Sequence, residues 1–288
     1  MTFARFRLLA TAAVVCLFAI VVTGATVRLT ASGLGCEHWP GCQAGHALPE
    51  TDYHSYVEFG NRIVSGLTLL FTLAVAGLAW AVPATRLQRR LALAVAAGTT
   101  AQIPLGAITV YYDLNPWLVM SHFLVSIATL AFGVVLVLDL WPEDRRAPVP
   151  RSLARIGLAT AVAAAVVIVS GTFATAAGPH PGSSKEVDRL GKLATAVPIH
   201  GVATGVFIAL LLAGLLALWS YRAEERRAFH TELRLVAVVG AQALLGLVQY
   251  HEHLPWGLVL LHVALATALW TGSVALASTL IRGNRLTG

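Results

Sequence analysis

The chain alternates between long apolar runs and short polar segments. A helix needs about 20 mostly apolar residues to cross the roughly 30 Å hydrocarbon core of a bilayer. Eight runs approach or reach this length, near 8–27, 57–80, 91–110, 117–140, 153–174, 194–219, 233–250 and 256–281. The pattern therefore predicts an all-α integral membrane protein with eight transmembrane helices.

Composition narrows the class of protein further. Hydrophobic residues make up 57% and charged residues 12% of the 288 residues, and the mean hydropathy is +0.74. These values exclude an ordinary soluble domain, so membrane lipid is the first expected partner. Arg5 and Arg7 ahead of the first apolar run also fit a secretory signal, but the run exceeds signal length and lacks a clear small-residue cleavage site. We therefore expect a retained first helix.

The positions of lysine and arginine predict how the helices are oriented. If the N-terminus is cytoplasmic, fifteen of the 20 basic residues fall on the inner side and five on the outer side. The inner set is Arg5, Arg7, Arg86, Arg89, Arg90, Arg145, Arg146, Arg151, Arg155, Arg222, Arg226, Arg227, Arg234, Arg282 and Arg285, and the outer set is Arg28, Arg62, Lys185, Arg189 and Lys192. The positive-inside rule then places both termini in the cytoplasm of a cell-membrane protein. The net charge of +6 reports this topology, and no nucleic-acid partner is expected.

A frame of residues recurs in the two halves of the chain with an offset of 140. Gln102, Gly106 and His122 correspond to Gln242, Gly246 and His262, and a Pro-Trp pair precedes each histidine. Because four helices per repeat return the chain to the same side of the membrane, the halves are predicted to be parallel repeats. The sequence thus predicts two parallel-repeat four-helix bundles, over residues 1–146 and 147–288.

A second matched pair breaks this symmetry. His200 with Gly205 corresponds to Asn61 with Gly66. The second half therefore carries two histidines where the first carries Asn61 and His122. In the predicted topology all of these polar residues lie in one layer near the outer ends of their helices. The contrast predicts two related sites, of which only one holds a metal cofactor with two imidazoles.

Histidines inside a membrane are costly unless they have a partner. Neutral imidazoles on facing helices are natural axial ligands of haem iron, and two of them give a low-spin site for electron transfer. His200 and His262 are the candidates for such a pair; the structural alternative is hydrogen bonding to neighbouring helices. In the first half, Asn61 is a poor ligand for haem iron, so His122 would hold a porphyrin by one strong bond or together with another residue. An open coordination position suits a substrate, or chemistry at the iron.

Glu58 and Arg62 are the charged candidates beside the first-half site. Glu58 lies one turn before Asn61 on the same helix face, and Arg62 follows Asn61 directly. These residues predict either a catalytic carboxyl or a structural Glu-Arg pair near the membrane surface. Their spacing alone leaves both interpretations open.

The three cysteines divide by environment. Cys36 and Cys42 flank Glu-His-Trp-Pro-Gly in the first outer loop, whereas Cys16 lies in the first apolar run. Two cysteines around a Pro-Gly turn on the oxidising side are well placed to form a disulfide. Such a bond is either a loop staple or a redox-active pair. A zinc site with His38 or His46 is a further alternative, although the usual CxxC pairing is absent.

The other histidines are not assigned to the site. His54 has no spacing that requires a role, His180 is expected in a surface turn, and His230 is on the cytoplasmic side. His251 and His253 flank Glu252 in a short outer loop and are expected to be solvated; contact with a haem propionate or a metal is the alternative.

Taken together, these residues resemble the haem A synthase family, and the resemblance covers nearly the whole chain. The segments that carry it are Thr-Gly-Ala-Thr-Val-Arg-Leu-Thr-Ala-Ser-Gly-Leu over 23–34, the Cys36/Cys42 loop, Glu58-Phe59-Gly60-Asn61-Arg62, Pro116-Trp117 with His122, His200, and Pro255-Trp256 with His262. The family converts haem O to haem A for cytochrome oxidase assembly, by oxidising one porphyrin methyl group to a formyl group.

The resemblance implies a role for each candidate residue. His200 and His262 would ligate a haem b cofactor that relays electrons, while the first half receives haem O at His122, Asn61 and Arg62. Glu58 matches the family's functional glutamate, and Cys36–Cys42 matches a disulfide of some members. Asn61 departs from the pattern, because better-known members place a second histidine there. Haem O synthase or cytochrome oxidase assembly factors are the protein partners that the resemblance implies.

Two other functions remain open at this point. A bis-histidine cytochrome that transfers electrons without making a product predicts two equivalent haem sites, which Asn61 argues against. A haem carrier or assembly protein without chemistry is the other alternative, with Asn61 marking a degraded site. A transporter fits less well, because parallel repeats with histidines near the outer face offer no site at the midplane.

Overall fold

The computed structural model describes residues 2–36, 41–43, 45, 48–49, 52–141, 149–183 and 187–284, and its regular structure is helical. The helices are α1 (Phe3–Leu29), α2 (Tyr53–Leu78), α3 (Arg86–Tyr111), α4 (Pro116–Leu140), α5 (Arg151–Ala177), α6 (Leu193–Trp219), α7 (Arg226–His251) and α8 (Trp256–Asn284). All eight are long and apolar enough to span a membrane. The prediction of an all-α, multi-pass membrane protein with eight transmembrane helices is confirmed.

Polar residues at the helix starts explain why several helices begin where they do. Asp52 caps α2 by accepting a hydrogen bond from the backbone N–H of Ser55, which lowers the pKa of this carboxyl. Thr85 and Gln88 form a capping box at the start of α3. Asn115 caps α4, and Pro116 occupies its first turn, where the missing N–H costs no hydrogen bond. The caps of α2 and α3 thus lie several residues before the apolar runs that begin at 57 and 91.

The two halves have the same order of helix contacts. Within the first half α1, α2, α3 and α4 pack in sequence and α4 returns to α1; within the second half α5, α6, α7 and α8 pack in sequence and α8 returns to α5. The halves meet through contacts of α8 with α1 and α4, and of α4 with α5. This order is what a duplication of four helices requires. The equivalence of the halves and their division after residue 146 stay predictions.

Apolar side chains fill the interior of each half and the junction between them. One cluster lies in the second half around Leu211, Leu218 and Leu276, and another in the first half around Phe6 and Leu136. A third cluster joins Leu17, Leu130 and Val134 of the first half to Val274 of α8. The third cluster shows that the two halves share part of their core.

Polar contacts tie the halves together at three places. Near the middle, Trp270 Nε1 donates to the carbonyl oxygen of Ile127 at 2.9 Å. Near the C-terminal ends of α4 and α8, Arg282 donates to the carbonyl oxygen of Val135 and pairs with Asp139. At the other end, Arg28 Nη2 donates to the carbonyl oxygen of Thr175. The backbone N–H of Gly33 donates to the carbonyl oxygen of Gly182. These contacts fix the register of α1 and α4 against α5 and α8.

Candidate functional site

His200 and His262 face each other in the second half. Their ring centroids are 6.5 Å apart and the ring planes are inclined by 67°. His200 lies on α6 and His262 on α8, and both helices pack against α5 and α7. Among the described residues, α6 and α8 make no close backbone contact with each other. The two imidazoles therefore lie across a gap between diagonally placed helices.

A serine on α5 orients His200. The Nδ1 atom of His200 lies 3.0 Å from Ser170 Oγ, and this hydroxyl donates to the carbonyl oxygen of Val167 at 2.9 Å. Because its own hydrogen is used, Ser170 Oγ accepts from Nδ1–H of the imidazole. The ring then keeps a free lone pair on Nε2, the tautomer that binds a metal through Nε2.

A glutamine and a glycine position His262. Gln242 Nε2 donates to the carbonyl oxygen of His262 at 2.8 Å. A Cβ added at Gly246 would lie 3.2 Å from Cε1 of the ring, closer than most real contacts of this kind. The glycine therefore lets the imidazole pack directly against α7. The Cε1 edge faces α7, which leaves the Nε2 side of the ring for a ligand.

A glutamine and a glycine make the same two contacts with His122. Gln102 Nε2 donates to the carbonyl oxygen of His122 at 3.1 Å, and to Ser126 Oγ at 2.8 Å. A Cβ at Gly106 would lie 3.4 Å from Cε1 of His122. The repeated Gln, Gly and His of the sequence thus correspond to one local structure that occurs twice.

Asn61 occupies the place in the first half that His200 occupies in the second. Thr23 Oγ1 donates to Asn61 Oδ1 at 2.8 Å, as the counterpart of the Ser170–His200 contact. A Cβ added at Gly24, next to Thr23, would meet nothing within 4 Å, whereas one at Gly171 would lie 3.1 Å from His200 Cε1. The shorter side chain of Asn61 therefore leaves space against α1.

Glu58 and Arg62 connect α2 to the loop between α1 and α2. Glu58 is buried; its Oε2 accepts from the backbone N–H of Cys36 at 2.8 Å, and its Oε1 pairs with Arg62 Nη2. Arg62 Nη1 also donates to the carbonyl oxygen of Gly41 at 2.6 Å. The Glu58–Arg62 ion pair, which was one of the two interpretations of the sequence, is thus present. Through these contacts Glu58 and Arg62 hold Cys36 and Gly41, at the two ends of the disulfide loop, against α2.

The predicted disulfide between Cys36 and Cys42 is present. Both cysteines are buried, while Cys16 is a free, half-buried thiol. His38 and His46, which the zinc alternative requires, lie outside the described residues. Among the described residues no group of three or more His, Cys, Asp or Glu side chains is arranged to hold a metal ion.

A cavity of about 700 Å³ lies in the second half where the ends of α5 and α7 meet the start of α6. Its lining includes Arg189, Tyr250, His251 and His253. Partial burial lowers the pKa of Arg189, which in proteins remains a cation. The loop histidines that the sequence left unassigned are therefore part of a basic cavity. His180 was predicted in a surface turn. Its Nε2 atom lies 2.8 Å from the carbonyl oxygen of Leu254.

Sequence reasoning missed the residues that orient the histidines. Thr23 and Ser170 were not identified as site residues, and Gln102 and Gln242 were identified only as members of the repeated frame. A hydroxyl residue directly before a glycine in both first helices, Thr23-Gly24 and Ser170-Gly171, is the signal that could have identified them.

Comparison with known proteins finds relatives that match about half of the chain. A protein named Heme A synthase from Bacillus pumilus is 30% identical over 142 residues, which are 48% of this chain and 46% of that protein. Heme A synthases of Listeria welshimeri and Geobacillus kaustophilus are 30% and 31% identical over 137 and 142 residues, covering 46% of this chain in both cases and 45% and 41% of those proteins. The matches thus span less than half the length of these relatives.

The family comparison reaches further along the chain. The family described as COX15-CtaA, cytochrome oxidase assembly protein, matches residues 7–179, which contain the Thr23–Asn61 contact, the disulfide loop and His122. This match extends from α1 to the end of α5 and covers more than half of the 288 residues. The chain belongs to the COX15-CtaA family of cytochrome oxidase assembly proteins.

Proposed function

We propose that this protein is a haem A synthase, which oxidises a methyl group of haem O to a formyl group in the membrane. The observation that carries the proposal is the difference between the halves. His200 and His262 face each other across a gap, whereas His122 shares its half with Asn61. One half is suited to hold a resident redox cofactor by two ligands, and the other to receive a substrate by one.

Haem b is the cofactor proposed for the second half. A metal–imidazole bond is about 2 Å long, so two rings on opposite sides of one ion have centroids about 6 Å apart. The 6.5 Å between His200 and His262 fits this requirement, as does the gap between α6 and α8. Held by two imidazoles, haem b supplies one-electron transfer rather than oxygen binding. Ser170 and Gly246 keep the two rings in position before the cofactor binds.

Haem O is the substrate proposed for the first half. Gly106 and Gln102 hold His122 so that one imidazole nitrogen is available to the substrate iron. Haem O carries a long hydrocarbon tail, and a site between membrane helices lets it enter sideways from the lipid. A single strong protein ligand also allows the product to leave.

Glu58 is proposed as the catalytic carboxyl and Arg62 as part of the substrate site. Glu58 would donate a proton or stabilise positive charge that develops during oxidation. The carboxylate is held on both oxygens, by Arg62 and by the N–H of Cys36. These contacts fix its position and link it to the disulfide loop. Any motion of this loop therefore reaches Glu58 through one hydrogen bond.

The proposed setting is the cell membrane, with both termini cytoplasmic and with the histidines and the disulfide toward the outer face. Fifteen of the 20 basic residues support this orientation. Haem O synthase and other assembly factors of cytochrome oxidase are proposed as partners, since one supplies the substrate and the others use the product. The basic cavity around Arg189 and His253 is suited to carboxylates such as haem propionates.

The proposal is tested by extracting pigments from the protein produced together with haem O. A synthase yields a haem that carries a formyl group, and His122→Ala is the control that removes the proposed substrate ligand. Unchanged haem O bound to a correctly folded protein would instead favour a carrier. Two equivalent low-spin haems without any formyl product would favour an electron-transfer cytochrome.

A further inference from the structure

The first-half site retains the surroundings of a histidine without the histidine. In the second half, Ser170 binds Nδ1 of His200 and Gly171 makes room for the ring. In the first half, Thr23 supplies the corresponding hydroxyl and Gly24 the corresponding space, but Asn61 stands in place of the imidazole. The side chain of Asn61 therefore occupies a place that has room for a larger ring.

The hydrogen bond from Thr23 determines which atom Asn61 presents. Thr23 Oγ1 donates to Asn61 Oδ1, so the carbonyl end of the amide is turned toward α1. Its Nδ2 group carries two N–H donors, and neither has an acceptor among the residues that the structure describes. An amide nitrogen has no lone pair suited to iron. Asn61 can therefore donate a hydrogen bond into the site but cannot replace a histidine as a ligand.

We infer that His122 is the only protein ligand of the haem bound in the first half, and that Asn61 Nδ2 donates a hydrogen bond to a small diatomic ligand on the opposite side of the iron. The inference rests on the proposed function, because it requires a haem in the first half. Polarity and donors opposite the proximal histidine are the features by which proteins control binding of oxygen-like ligands at haem. Asn61 is thus a specific donor rather than the remnant of a lost site.

Carbon monoxide is the probe that tests this inference. The protein is produced with haem O, the haem content per chain is measured, and the reduced form is exposed to carbon monoxide. A haem held by His200 and His262 has both axial positions filled, so it serves as an internal reference that does not bind the gas. We expect two haems per chain, of which one binds carbon monoxide.

Two substitutions at Asn61 give opposite expected results. Asn61→His places an imidazole next to Thr23 and against Gly24, so we expect the second haem to become low-spin and to lose carbon monoxide binding. Asn61→Leu keeps the size but removes the donor. Carbon monoxide should still bind, with a higher C–O stretching frequency and about two- to ten-fold faster release, the factor expected for one hydrogen bond.

Two further variants serve as matched controls. Thr23→Val frees the Asn61 amide to turn, and it should shift the C–O stretch in the same direction as Asn61→Leu but less. Thr11→Val removes another hydroxyl of α1, one that donates only to the carbonyl oxygen of Arg7 in the same helix, and it should leave the carbon monoxide spectrum unchanged.

The inference and the proposed function fail in different ways. Two haems per chain without carbon monoxide binding in the unaltered protein would show a second ligand and overturn the inference alone. An unchanged C–O stretch in both Asn61→Leu and Thr23→Val would also overturn it. A single haem per chain, lost with His200→Ala but not with His122→Ala, would overturn the proposed function and the inference together.

Discussion

The two halves hold His122 and His262 in the same way but differ in what lies opposite. In each half a glutamine binds the backbone carbonyl of the histidine, and a glycine lets the ring approach the neighbouring helix. Opposite His262 stands His200, whereas the corresponding position in the first half is Asn61. The support of these two histidines is thus alike in both halves, and the proposed difference in chemistry rests on one side chain and its surroundings.

The surroundings of Asn61 and His200 extend this difference. In the first half, Glu58 and Arg62 hold the disulfide loop against α2 through hydrogen bonds to Cys36 and Gly41. In the second half, the position that corresponds to Glu58 is Val197, which offers no charge. The first half therefore combines a Glu-Arg pair on α2 with a loop closed by a disulfide. This loop distinguishes the half proposed to carry out chemistry from the half proposed to carry electrons.

Removal of a histidine is the change expected to have the largest effect. His200→Ala should abolish the low-spin signal of the resident haem in a reduced-minus-oxidised spectrum, because one of its two axial ligands is lost. His122→Ala should leave that signal in place and abolish formation of haem A. Loss of the low-spin signal only with His122→Ala would reverse the roles assigned to the two halves.

Glu58 is expected to have the second largest effect. Glu58→Gln keeps the size of the side chain and an oxygen for the N–H of Cys36, but it removes the charge. The yield of haem A from haem O should fall about 100-fold or more if the carboxyl takes part in proton transfer. Arg62→Gln is the matched control, since it breaks the ion pair and leaves the carboxyl present. Normal haem A production by Glu58→Gln would eliminate the catalytic role.

Loss of the disulfide is expected to have a moderate effect on stability. Replacing Cys36 and Cys42 by serine should lower the free energy of unfolding by about 2 kcal/mol, the value expected for such a short loop. Thermal unfolding in detergent measures this change, with Cys16→Ser as the control. If haem A formation survives at a temperature where the variant stays folded, the bond is a loop staple. A complete loss of activity there would indicate a redox role.

The smallest expected effect is at the glycine beside His262. Gly246→Ala places a methyl group 3.2 Å from Cε1 of the ring, so the imidazole has to shift by a few tenths of an ångström. We expect a small change in the spectrum or the potential of the resident haem. Gly240→Ala on the same helix meets nothing within 4 Å and controls for helix propensity. Equal spectra for the two variants would show that the ring position does not depend on Gly246.

Much of the fold was predictable from hydrophobicity, but the helix ends were less so. The runs 91–110 and 233–250 become α3 (Arg86–Tyr111) and α7 (Arg226–His251). Both helices begin several residues earlier than predicted, at arginines. The apolar stretch of the sequence ends at the edge of the hydrocarbon layer. The helix continues into the headgroup region as long as its backbone hydrogen bonds continue. The apolar pattern therefore gives the spans but not the full helices.

The candidate ligand residues could be predicted from the sequence, but the residues that hold them in position could not. Histidines in apolar runs are rare enough to stand out, and the repeat identified His122, His200 and His262 as related. Thr23 and Ser170 did not stand out, because hydroxyl residues within membrane helices often bond only to their own backbone. The contact of Glu58 with the N–H of Cys36 joins residues 22 apart across a loop. It could not be predicted without knowledge of the fold.

The hydrogen bond from Trp270 to the carbonyl oxygen of Ile127 has a consequence for the two proposed haems. It joins α8, which carries His262, to α4, which carries His122. No water in the hydrocarbon layer can replace this bond, so sliding of one helix along the other is costly. Electron tunnelling slows exponentially as two redox centres move apart. A fixed register between these helices would therefore keep the distance between the two proposed haems constant, and with it the rate of electron transfer between them.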